Sequence, residues 1–127
     1  MEHRGNLSKK TKKRLAREYI KKSIDGFIEN DNSLGLGYAY LSLANINKEL
    51  KNSDSLSLCE KATTIFDNIG YDLGQAHAFL WKSKYYFKSD SKVALKNLNF
   101  ALEAYRKAGY KSGVDETSSL IAKIYRK

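Results

Sequence analysis

The sequence predicts an all-α protein built as a stack of antiparallel helical hairpins, and three observations carry that expectation. Its 127 residues contain no proline, which removes the commonest helix breaker. Its eight glycines are clustered, whereas a sheet sandwich needs turns throughout. And the stretch "IGYDLG" at 69–74 returns 39 residues later as "AGYKSG" at 108–113. A fixed period of roughly 20–50 residues marks a stacked repeat. The length suits one domain with a real core.

Sliding the chain by 39 residues aligns more than the two GYxxG motifs. Gly35, Gly74 and Gly113 coincide, as do Ala39 with Ala78, Leu41 with Leu80, Ala62 with Ala101 and Phe66 with Tyr105. Each period holds two helical patterns. In chain order, "TKKRLAREYIKKSIDGFIEN" (11–30) aligns with a second-type helix, Phe27 falling on Phe66. Leu36–Leu50 follows as a first-type helix, with Tyr40, Leu43, Ala44 and Asn47 on one face. Ser55–Ile69 places Leu58, Ala62, Ile65 and Ile69 together, with Asp54 and Ser55 offering side-chain acceptors at its start. Gly70 ends it in the left-handed conformation that glycine adopts at little cost. The scheme repeats in Gly74–Phe87 and then in 91–108, begun by Asp90 and ended by Gly109. A last helix starts after Gly113. Each GYxxG is thus a corner: its first glycine caps the outgoing helix and its second lets the incoming one pack closely. The expected organisation is a basic segment 1–19 leading into helix, then a repeat domain over 20–127. That domain comprises a half repeat, full repeats near 33–71 and 72–110, and a half repeat 111–127, six helices in all.

At this point the chain resembles the tetratricopeptide repeat (TPR) family, in its longer variant with "LGxIY…GD…AL…AL…GDxxGxA" repeats. The residues that carry the resemblance are "LANIN" at 43–47, "KSKYY" at 82–86 and "IAKIY" at 121–125, whose small residues Ala44, Ser83 and Ala122 stand where the family has Gly or Ala. Ala94, Leu98 and Ala101 match the second-helix spacing. Asn47 and Lys82 depart from the usual Tyr and Leu, and the repeat-ending Pro is missing. The resemblance implies a noncatalytic adaptor or regulatory subunit that holds a peptide in a concave groove lined by the first helices. Carried over by position, that groove would include Tyr38, Leu41, Asn45 and Lys48 from the first repeat, His77, Lys84, Phe87 and Lys88 from the second, and Lys123 and Arg126 from the last. Asn45, Lys84 and Lys123 fall one per repeat. The lysines would make the groove positive, suited to an acidic peptide or a terminal carboxylate.

Charge supplies the alternative. Residues 1–22 carry +7, residues 25–72 carry −5 and residues 82–111 carry +6 within a total of +9. Lys10, Arg14, Arg17 and Lys21 would form one helical stripe able to follow phosphates, making a nucleic-acid-binding accessory protein the second expectation. The opposite face offers only Leu15, Tyr19 and Ile20, little for a membrane. Leu120, Ile121 and Ile124 on the last helix, with no partner helix after them, are expected to serve a C-terminal interface or self-association. Consecutive aromatics Tyr85, Tyr86 and Phe87 point about 100° apart on a helix, so two of the three are expected in the core. Trp81 is expected to pack between helices.

No enzyme, cofactor or metal is expected. His3 and His77 are the only histidines, Cys59 the only cysteine, and no CxxC, HExxH or GxxxxGK[ST] pattern occurs. One cysteine suits a reducing compartment, where it would be a small core residue. The basic N-terminus lacks a secretory apolar stretch and no apolar run reaches membrane-spanning length, so a cytoplasmic setting is expected; a transit peptide is the alternative, with only Glu2 and Glu18 against it.

Overall fold

A computed structural model describes residues 8–126 as six helices: α1 (Lys9–Glu29), α2 (Ser33–Glu49), α3 (Ser55–Asn68), α4 (Asp72–Tyr86), α5 (Ser91–Ala108) and α6 (Lys111–Tyr125). Connections of two to five residues force each helix antiparallel to the one before it. Contacts run almost wholly between chain neighbours, as in a helical solenoid. The exception is α2 against α4, which approach more closely than α1 and α3 or α3 and α5. Helices α2, α4 and α6 form one row of the stack and α1, α3 and α5 the other.

The 39-residue register has a steric cause. Phe66 is fully buried and Tyr105 nearly so. An added Cβ would lie 2.4 Å from the Phe66 ring at Gly74, 2.4 Å from Tyr105 at Gly113 and 2.6 Å from Phe27 at Gly35. Each ring sits where a side chain on the next helix would have to be. These glycines lie inside their helices, since α2, α4 and α6 each begin two residues before the glycine. The expected starts at Leu36, Gly74 and Gly113 are corrected accordingly. For α2 the reason is Asn32, whose side chain accepts from the Gly35 amide at 2.9 Å.

The corners follow the same register. Gly70 and Gly109 are left-handed, with φ of 67° and 69°. So is Asp31, one period earlier, with φ of 54°. At each of these corners the next amide reaches back across the last turn: Asn32 to Phe27 O, Tyr71 to Phe66 O and Tyr110 to Tyr105 O, at 2.8, 2.9 and 3.0 Å. Lys51 closes the α2–α3 turn in the same way, with φ of 62°.

Two start signals separate. Asp90 caps α5 as expected, accepting from the Val93 amide at 3.2 Å. Asp54 does not cap α3; its carboxylate accepts from Asn47 Nδ2 at 3.0 Å. Buried Asn47 needs that partner more than an exposed helix end does. The core divides into two clusters, one around Leu43, Ala44, Leu58 and Cys59 and one around Leu80, Leu98, Ala101 and Tyr105. On α3, Phe66 takes the buried place expected of Ile69, which is exposed. Among the described residues no helix is long and apolar enough to cross a membrane.

Candidate functional site

The α2–α4–α6 row carries two cavities that meet at Lys84. The first, about 300 Å³, lies between α2 and α4 and is lined by Tyr38, Leu41, Asn45, His77, Trp81 and Lys84 among others. The second, about 540 Å³, lies against the ends of α2, α4 and α6 and includes Lys48, Lys84, Phe87, Lys88 and Lys123. Together they bring nine of the ten groove positions taken from the repeat register onto one continuous surface. Arg126 is exposed at the end of α6 but lines neither cavity. His3 lies outside the described residues.

The two halves of the groove differ chemically. The first is an aromatic rail. The Tyr38 ring stands edge-on to Phe66 at 5.1 Å and lies 6.2 Å from His77, which stands edge-on to Tyr105 at 5.4 Å and to Tyr110 at 5.7 Å. His77 Nδ1 and the Tyr105 hydroxyl share a hydrogen bond of 2.7 Å. Burial lowers the pKa of His77 below the ordinary imidazole range, against a smaller opposing pull from Glu116, so the ring is neutral near pH 7. Burial likewise raises the phenols of Tyr38 and Tyr105, and Tyr38 rises further through its hydrogen bond to Tyr71. The rings of this half are therefore uncharged near pH 7.

The second half is cationic. Lys84 Nζ donates to Glu116 at 2.7 Å, spanning α4 to α6. Lys48 lies 6.0 Å from both the Trp81 and Tyr85 rings, which stack on each other at 5.4 Å. Lys48, Lys88 and Lys123 form no ion pair among the described residues. Asn45, Lys84 and Lys123 are all exposed, in the one-per-repeat line that the register places them.

Several side chains take places the residue pattern does not reveal. Trp81 packs against the first core cluster and also lines the groove. Tyr85, Tyr86 and Phe87 are all half-buried, where two of the three were expected in the core; the helix ends at Tyr86, so its last turn lies at the edge of the stack. Ser42 also lines the first cavity, and the rings of Tyr105 and Tyr110 pack behind His77 from α5 and the α5–α6 corner. On α1, Lys10, Arg14 and Lys21 are exposed, but Arg17 turns to the inner side of the helix, its Nε 3.6 Å from Glu18 and without a hydrogen bond. Three residues of the expected stripe are thus exposed and the fourth is half-buried. Leu120, Ile121 and Ile124 are half-buried against the second core cluster, and it is Tyr125 that stands 71% exposed. Cys59 is fully buried with its thiol 3.5 Å from the Ala78 carbonyl oxygen, and burial pushes its pKa up to about 11. No three His, Cys, Asp or Glu side chains cluster as metal ligands among the described residues.

No family model, curated protein or solved structure matches the chain.

Proposed function

We propose that the chain is a noncatalytic interaction module of the tetratricopeptide type. It holds an acidic segment of a partner protein in the groove along α2, α4 and α6. The observation that carries this reading is the joining of an aromatic half-groove to a cationic one at Lys84. A bound segment places an apolar side chain between Tyr38, Leu41, His77 and Trp81. Its carboxylates then reach Lys84, Lys88 and Lys123 through charge-assisted hydrogen bonds. Glu116 occupies Lys84 in the free protein, and a ligand carboxylate takes its place. No cofactor belongs to this reading. The thiolate-poor Cys59 suits a reducing, cytoplasmic setting.

The test is selection of peptides from a random displayed library on the full chain, with affinities then measured on wild type and on Lys84→Glu/Lys123→Glu. Selected peptides should be rich in Asp and Glu around one apolar anchor. The double reversal should weaken them by at least about a hundredfold, since charge-assisted bonds to two lysines are lost and repulsion replaces them. Peptides without an acidic bias, or binding indifferent to the reversal, would refute the reading.

A further inference from the structure

Folding gathers charge that the linear sequence scatters. Because successive helices reverse, the start of α1, the α2–α3 and α4–α5 connections and the end of α6 all arrive at one end of the stack. Residues 8–13, 47–57, 84–96 and 121–126 there carry twelve lysines and arginines and three carboxylates. Eleven of those twelve cations are exposed and Lys13 is half-buried. The segments at the other end, 25–37, 66–76 and 103–115, carry three cations and seven carboxylates. The molecule is polarised from end to end.

The three carboxylates at the basic end are all occupied within the fold. Glu49 pairs with Lys13 at 3.3 Å, Asp54 accepts from Asn47 and Asp90 caps α5. Helix dipoles explain part of the pattern, since Lys48, Lys84 and Lys123 lie in last turns, where cations are favoured. They oppose the rest. Lys9, Lys10 and Lys12 crowd the first turn of α1, where cations are unfavourable and no acidic residue stands, and Lys92 lies in the first turn of α5, where Asp90 at the cap is the one nearby acid. These lysines work against the helices that carry them, which points to a use outside the fold.

We infer that this end docks the phosphate backbone of a nucleic-acid duplex, by charge density and without base reading. Helix axes packed about 8–10 Å apart make three hairpins roughly 20 Å across. A duplex presents about twelve phosphate charges over that length, while an extended acidic peptide presents about six carboxylates at most. Cations contributed by four separate segments suit the two phosphate rows of a duplex better than the single row of an extended peptide. An anionic membrane fits less well, because of the large exposed apolar side chains only Tyr125 lies in these segments. The two surfaces share Lys48, Lys84, Lys88 and Lys123, whereas Lys92 and Lys96 lie on α5 and line neither groove cavity, so they test this inference separately.

The experiment is fluorescence anisotropy of a labelled 20-base-pair duplex with the full chain across roughly 50–200 mM salt. Wild type should bind with a steep loss of affinity on adding salt. Lys92→Glu/Lys96→Glu should weaken binding at least about tenfold and flatten the salt slope by about two. Lys107→Glu/Lys111→Glu makes the same change in net charge at the opposite end and should alter affinity less than about threefold. Lys9→Gln/Lys10→Gln/Lys12→Gln, a milder change on the far flank, should weaken binding in the same direction. Circular dichroism melts confirm that each variant is folded. Absence of binding at 50 mM salt would overturn the inference, as would equal losses in the two reversed variants. So would tighter capture, at equal salt, by phosphatidylserine vesicles.

Discussion

Gly74 and Gly26 both lie inside helices, yet a methyl group has opposite consequences at the two. At Gly74 it meets the buried Phe66 ring at 2.4 Å, whereas at Gly26 nothing lies within 4 Å. Gly74→Ala should therefore cost about 1–3 kcal/mol through overpacking. Gly26→Ala should stabilise by about 0.5–1 kcal/mol through helix propensity. Urea unfolding at constant m separates the two. His77 makes a prediction in pH. Its pKa is lower folded than unfolded because burial penalises the imidazolium. The unfolded chain therefore binds the extra proton first, so stability holds above about pH 6.5 and falls as pH drops below it. In His77→Gln that portion of the acid-side loss should disappear from pH-dependent melting curves. A variant as acid-sensitive as wild type over this range would contradict the assignment.

At the scale of elements, the left-handed corner positions make a sharper test than the glycines themselves. Asp31 and Lys51 hold positive φ without being glycine, at 54° and 62°. Asp31→Gly and Lys51→Gly should each stabilise by up to about 1 kcal/mol, while Gly109→Ala should cost a similar amount. Such corners explain what was legible. The period-39 glycines, the Asp90 cap and the Phe66 and Tyr105 positions are local stereochemistry, and local stereochemistry leaves a mark in spacing. The Asp54 cap was misread because its competitor, Asn47, sits on another helix. Arg17 was placed on the exposed stripe because periodicity gives an angle around the helix axis and not the side from which α2 approaches. The register sets nine of the ten proposed groove positions along two adjoining cavities, but the packing of Tyr105 and Tyr110 behind His77 comes from α5 and its corner and has no sign in that register. The Lys84–Glu116 bridge spans 32 residues and left no mark in the sequence pattern. Both of its side chains are about half exposed, so the pair adds at most about 1 kcal/mol to stability. Glu116→Gln should leave the melting temperature within about 2 °C of wild type and tighten an acidic peptide several-fold, checked by calorimetric titration.

For the whole molecule, one principle organises both surfaces. Antiparallel stacking converts three charge blocks along the chain into a basic end, an acidic end and a groove that runs from neutral to cationic. The groove is the central claim, and the protein carries its own reporter, because Trp81 is the single tryptophan and lines the first cavity beside Lys84. The most direct measurement is a Trp81 fluorescence titration with a library-selected acidic peptide, run in parallel on wild type and Lys84→Glu/Lys123→Glu. A saturable change in Trp81 emission that vanishes in the double variant is the predicted result. Binding by calorimetry that leaves Trp81 unchanged, or that survives the reversal, would place the ligand elsewhere and contradict the groove.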